Sequence, residues 1–242
     1  MDQHRLKSFW AFVFSLIFLN MPTVAVGQDF TEGRIVYEIT FPELDMDEAT
    51  RGSLPTESVV FVKGDLSRTD MNVGPRMSSS SIYNARTGQV TALTEFMDSK
   101  TYIVMQPGKG PVPAGTSSNV VLFDKDVKNI AGFNCKRAVL KGKDNVTSDL
   151  FYTDKIKARI AVNVQFAGVD GFPMQFLVNQ NGLKMQYTVR EVVQESVPSS
   201  YFTIPEDYKP VTPEDLNRIY KSMEDSSNDG TVKDFELPKK NE

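Results

Sequence analysis

The sequence predicts a mainly β protein, an antiparallel meander finished by a short C-terminal helix. Three patterns carry that expectation. Apolar side chains recur at every second position, turn residues separate those runs, and one helical stripe follows a capping signal near the end of the chain.

The alternation is clearest in GRIVYEITF, where Ile35, Tyr37, Ile39 and Phe41 share one face and Arg34, Glu38 and Thr40 the other. It returns in GLKMQYTVR, where Leu183, Met185, Tyr187 and Val189 oppose Lys184, Gln186, Thr188 and Arg190. Strands with one buried side have this period. SVVFVKGD, LSRTDMN, SSIYNA, QVTALTE, KTYIVM, FNCKRAVLK, VTSDLFYT and FPMQFLVN supply the shorter strands between them. KGD (63–65), RTG (86–88), KGKDN (141–145) and NQNG (179–182) are turn chemistry, so the strands connect as hairpins in series.

Two stretches break the rhythm. PELDMDEATRGSLPTE (42–57) reads as an acidic insertion, and QPGKGPVPAGTSS (106–118) as a Pro/Gly linker leading into NVVLFDKDV, a candidate short helix. Farther on, Thr212 is placed as an N-cap, with Pro213 in the first helical position and Asp215 completing a capping box. Leu216, Ile219, Tyr220 and Met223 then fall at i, i+3, i+4 and i+7, one apolar stripe of a helix over 212–223. The polar remainder, 224–242, has the composition of a disordered tail.

The first 27 residues have the grammar of a cleaved secretory signal. Arg5 and Lys7 precede the apolar run Ser8–Leu19, and Ala25 and Gly27 stand at the small-residue positions before Gln28. The run is shorter than the roughly 20 residues of a spanning helix and is followed by Pro22, so no transmembrane segment is expected after cleavage. From Gln28 onward 25 basic residues face 30 acidic ones, a net charge of −5. Without a basic stripe, nucleic acid is not an expected partner. The 28–211 stretch suits one domain with a sizeable core.

Two absences limit the chemistry. The single histidine, His4, and the single tryptophan, Trp10, both lie in the signal. A chain without histidine cannot run a Ser-His-Asp or Cys-His relay, and with one thiol and no imidazole it lacks the common ligand set for zinc. No catalytic, metal or cofactor residue is therefore assigned, although carboxylate-based hydrolysis remains open. Cys135 has no cysteine to pair with and reads as a buried structural thiol, a small hydrophobe. Asn145-Val146-Thr147 matches a glycosylation sequon and is read as turn chemistry.

FVKGDLSRTDMN, then IYNARTGQVTALTEFMDSKTYIVM, then IAGFNCKRAVLKG together resemble the bacterial envelope family called domain of unknown function 4412. The order IAGFNCKRA, FYTDKI, GFPMQFLV is also similar to the related GLPGLI proteins, but GFPMQFL stands where their namesake hexapeptide would be. The resemblance spans roughly residues 32–205. It implies a fold similar to the LolA and LolB lipoprotein carriers: a strongly curved antiparallel sheet, an incomplete barrel, with helices across its mouth. It implies no catalytic residues. It places Cys135 in a strand next to a turn at Gly132.

The expected function is non-enzymatic binding of a lipid or lipoprotein acyl chain in the periplasm of a Gram-negative bacterium. The eight methionines beyond the signal, with the strand aromatics, make a soft and adaptable face. The candidate ligand residues are Tyr37, Ile39, Phe61, Tyr102, Met174, Phe176, Met185 and Tyr187. Leu216, Ile219, Tyr220 and Met223 are the candidate lid. A protein–protein module in envelope assembly and a carboxylate-dependent hydrolase are the alternatives.

Overall fold

The computed structural model describes residues 29–45, 51–74, 77–106, 119–141, 147–180, 182–215 and 218. The chain forms two meanders. The first comprises β1 (Glu32–Thr40), β2 (Glu57–Lys63), β3 (Leu66–Asn72), β4 (Met77–Asn84), β5 (Gln89–Phe96) and β6 (Ser99–Met105). The second comprises β7 (Asn119–Ile130), β8 (Phe133–Lys141), β9 (Thr147–Thr153), β10 (Phe172–Gln180) and β11 (Leu183–Val193). Pairing of β1 with β11 fuses them into one 12-stranded sheet of order β12-β6-β5-β4-β3-β2-β1-β11-β10-β9-β8-β7. Every neighbour is antiparallel except β12 (Lys209–Pro210), which runs parallel to β6.

The mainly β class and the antiparallel meander are as the alternation predicts. The strong curvature is not. The sheet is open, with β7 at one edge and the two-residue β12 at the other, and it is neither closed nor strongly curled. Alternation dictates pairing and faces, whereas barrel closure requires a consistent tilt and stagger across all strands, which no local pattern encodes. Bends are local. Arg190, Met174 and the triplet 124–126 are left over where the register shifts in β11, β10 and β7 respectively.

NVVLFDKDV is a strand rather than a helix. It belongs to β7 and pairs with β8 across a two-residue turn in which Ala131 (φ 50°) and Gly132 (φ 86°) both take left-handed conformations. That geometry matches the right-handed twist of a hairpin, and Gly132 adopts it without a Cβ penalty. At the C-terminal end the capping box forms as predicted. Asp215 N donates to Thr212 Oγ1 at 3.1 Å, and Thr212 N donates to Asp215 Oδ2 at 3.0 Å. The apolar stripe beyond it, Leu216, Ile219, Tyr220 and Met223, lies outside the described residues, as does the whole signal segment.

Two connecting segments cover the two faces. Residues 154–171 cross one of them and contain a 3-10 turn, Ala161–Phe166. The crossing is anchored where Phe30 N donates to Lys155 O and Lys157 N to Phe30 O, both at 2.9 Å. Ile156, Ala158, Ile160, Phe166 and Val169 along it join the buried core with Tyr37, Val60, Val62, Leu150 and Phe176. The segment between β11 and β12 crosses the other face. Val197 N donates to Glu32 Oε1 (2.9 Å), Lys63 Nζ to Val197 O (2.7 Å), and Lys100 pairs with Asp207 (2.8 Å). The Val197 hydrogen bond, with Lys63 beside it, holds the Glu32 carboxyl below its usual range.

Cys135 is fully buried, as a packing role predicts, and desolvation pushes its thiol up to about 11. A thiol with that pKa is almost wholly protonated at neutral pH, and only the thiolate attacks. Labelling of the folded protein by a disulfide reagent at pH 7.5 is expected to be far slower than in urea. Cys135→Ala is expected to lower stability by about 1–2 kcal/mol. Equal labelling rates in the folded and unfolded states would refute the burial.

Candidate functional site

Directly opposed residues of antiparallel strands project to the same side, so the register defines the face covered by residues 154–171. One row runs Tyr37, Ser58, Met71, Ser79, and the next runs Ile35, Val60, Thr69, Ser81, Ala92. On the other side of β1, Ile39 opposes Tyr187, which opposes Phe176. Between these rows and the 3-10 turn lies a cavity of about 310 Å³. Its floor is drawn from β1 to β6, its wall from Phe176, Val178 and Tyr187, and its roof from Ile160, Ala161, Val162 and Gln165. Gln165 is solvent-exposed and marks the opening.

Aromatic rings build the wall. Tyr187 stacks on Phe176 with centroids 5.0 Å apart and planes 4° apart. Tyr37 meets both edge-on, at 5.7 Å and 6.2 Å, and Phe166 meets Phe176 at 5.3 Å. The Tyr37 hydroxyl donates to Pro173 O at 2.6 Å, which satisfies the one polar atom that burial of this ring would strand. Burial lifts both Tyr37 and Tyr187 above the ordinary tyrosine value, Tyr37 well above it, so both are neutral phenols. Among the described residues no Asp, Glu, Lys or Arg lines the cavity. Thr69, Ser79 and Ser81 do, and their hydroxyls have no hydrogen-bond partner among the described residues.

The eight predicted ligand residues do not stay together. Tyr37, Phe176 and Tyr187 line the cavity. Ile39 and Met185 oppose Tyr187 and Val178, so they share the face, but they are buried in packing beside the cavity. Met174 occupies the extra position of the β10 bulge and is fully buried. Phe61 and Tyr102 lie on the opposite face. Phe61 opposes Arg34 and Arg68 and packs on Tyr201 at 4.8 Å. Tyr102 opposes Leu93 and pairs with Pro210 of β12. In β2 the inward positions are Ser58, Val60 and Val62, and a shift of one residue exchanges the faces.

The roof was not anticipated. Its signal is present in KIKARIAV, where Ile156, Ala158, Ile160 and Val162 alternate with Lys155, Lys157 and Arg159, but this stretch pairs with no hairpin partner and resembles a linker. The serines and threonines of the floor carry no recognisable pattern, since hydroxyl residues suit either face of a strand.

A second hollow, about 450 Å³, is polar and bordered by Glu57 and Asp70. Though larger, it is the weaker candidate, because each carboxylate is already engaged: Glu57 with Arg190 and Asp70 with Arg68, both at 2.7 Å. Among the described residues no group of three or more His, Cys, Asp or Glu could hold a metal ion. None of the described helices is long and apolar enough to cross a membrane.

No curated protein matches this chain. Among solved structures, PNGF-II in a C2 crystal form is similar over 78% of this chain, with 14% identity and a TM-score of 0.51. The same protein in a P21 form gives 12% identity and a TM-score of 0.44 over the same share. This chain covers 32% of the length of each, and at 14% identity the first likeness concerns the fold alone. The expected family resemblance is found over part of its span, beyond the motifs at 61–142 that suggested it: residues 153–208, from the end of β9 through β10 and β11, which supply the cavity's roof with Phe176 and Tyr187, match the family described as Domain of unknown function (DUF4412).

Proposed function

We propose that this protein binds an apolar ligand, a lipid or acyl chain, without transforming it, and that it does so as an exported envelope protein of the periplasm. The observation that carries this reading is the cavity of about 310 Å³ lined by Tyr37, Phe176 and Tyr187, with no charged side chain among the described residues of its lining. Small-molecule sites of roughly 300–1,000 Å³ share this largely apolar make-up with a few polar groups.

Native mass spectrometry of protein purified from its own envelope tests the reading. A co-purified lipid is expected, lost in Ala92→Trp, whose indole fills the floor. The polypeptide in the same spectrum is expected to start at Gln28. Protein that carries no lipid and binds no Nile red, a neutral apolar dye, would overturn the proposal.

A second reading, an interaction module, draws on β7. This open edge exposes Val121, Leu122, Phe123 and Val127, and exposed apolar edges recruit other strands. Concentration-dependent self-association abolished by Val121→Lys would favour it.

A further inference from the structure

The hydroxyls of the cavity are unexplained by apolar binding alone. Ser79 and Ser81 are two residues apart on one face of β4, hence about 7 Å apart. Thr69 opposes Ser81 directly, at a spacing of about 5 Å. None of the three has a hydrogen-bond partner among the described residues. On the same face, Ser67 opposes Tyr83, which opposes Val90 of the cavity lining. Ser67 is 1% exposed, and its Oγ is the one buried side-chain N or O atom without a partner among the described residues. Native interiors rarely leave such atoms unsatisfied. Three free hydroxyls on a lining whose other polar side chains are Ser58, bonded to Asp70 O, the Tyr37 and Tyr187 hydroxyls and Gln165 at the opening, with a fourth buried beside them, form a polar strip facing the roof.

Charge narrows the choice. With no basic residue among the described residues of the lining, an anionic head drawn into the cavity would be desolvated with no counter-ion among them, which is strongly unfavourable. Volume narrows it again, since about 310 Å³ is at the lower end of the range for small-molecule sites and suits one chain better than two. Resting on the apolar-ligand reading above, we infer that the cavity selects an uncharged, single-chain amphiphile bearing hydroxyl groups, of the monoacylglycerol type. Its chain lies along Tyr187 and Phe176, and its hydroxyls exchange hydrogen bonds with Thr69, Ser79 and Ser81. A hydroxyl strip suits such a ligand because each group both donates and accepts.

The test uses the full chain from Gln28 and three ten-carbon probes: monodecanoin (neutral, two hydroxyls), methyl decanoate (neutral, none) and decanoate (anionic). Each is titrated at pH 7.5 by displacement of Nile red. Monodecanoin is expected to bind about tenfold more tightly than methyl decanoate, as two hydrogen bonds would give, with decanoate weakest. The triple variant Thr69→Val, Ser79→Ala, Ser81→Ala is expected to erase the preference, monodecanoin then binding no more tightly than methyl decanoate. Should the triple variant not fold, Ser81→Ala alone is expected to reduce the preference about threefold. Decanoate binding as tightly as monodecanoin would overturn the inference, as would a preference that survives the substitutions in a folded variant. If no probe displaces the dye, the apolar-ligand reading itself fails and the inference with it.

Discussion

Gly33→Ala is expected to cost at least about 3 kcal/mol, enough to leave little folded protein, because two penalties coincide at this position. Gly33 lies in β1 with φ +146°, a conformation closed to residues with a side chain. A Cβ built there would stand 2.1 Å from Val193 O and 2.8 Å from the Phe30 ring. Neither obstacle can retreat cheaply. Val193 ends β11 and is paired with β1, and Phe30 is fully buried at the bridge that anchors the roof. The clash therefore falls on the β1–β11 seam that joins the two meanders. Gly132→Ala is the control. Its φ is +86°, yet nothing lies within 4 Å of the added Cβ, so only the backbone preference of about 1 kcal/mol is lost. Urea denaturation of the two variants separates the cases. A midpoint for Gly33→Ala close to that of Gly132→Ala would mean that β1 and β11 do not approach as closely as described.

The seam shows where sequence reading stops. Individual strands are legible because a half-buried strand must alternate: LSRTDMN and FNCKRAVLK coincide with β3 and β8 residue for residue. Nothing in GRIVYEITF says that it pairs with a segment some 150 residues later, since any strand with an inward aliphatic face would satisfy the same pattern. β7 fails for a different reason. Asp124, Lys125 and Asp126 bulge out between Phe123 and Val127, so three consecutive charges interrupt the run and the period-two alternation loses phase across them. Phe61 illustrates the reverse error, in which a large aromatic draws attention to the wrong face of β2. That ring covers Tyr201, while the smaller Val60 and Ser58 face the cavity. The cavity itself was half legible. Its aromatic wall follows from the alternation in β1, β10 and β11, but its hydroxyl floor and its roof depend on strand order, which is a property of the whole sheet.

That distinction makes the face assignment of β11 the sharpest point of contact between sequence and structure. Tyr187→Asp is expected to destabilise the protein by on the order of 3 kcal/mol at pH 7. The change removes a ring stacked on Phe176 and a hydroxyl 3.8 Å from Met71 Sδ, and leaves a carboxylate among Tyr37, Phe176 and Met71 with no cation among the described residues of the lining. In the folded protein that carboxyl has its pKa raised above the ordinary aspartate value of about 3.9. The folded state then binds the proton more tightly than the unfolded state, so the charge penalty is full above the folded pKa, shrinks as pH falls through it and is gone below about 4. The packing loss persists at every pH. One residue on, Thr188→Asp is expected to cost less than about 1 kcal/mol. Thr188 Oγ1 accepts from Gln175 Nε2 at 2.9 Å, and Gln175 Oε1 in turn accepts from Lys128 at 2.7 Å. An aspartate can accept the same hydrogen bond within reach of that cation, offset in part by Glu38, which opposes Thr188 on β1. The two variants differ by one position and by nothing in formal charge, so their melting temperatures report the face alone. Thr188→Asp should also keep Nile red binding, which Tyr187→Asp should lose. Equal melting temperatures would place β11 one residue out of register, and with it the stacked aromatic wall on which the proposed binding depends.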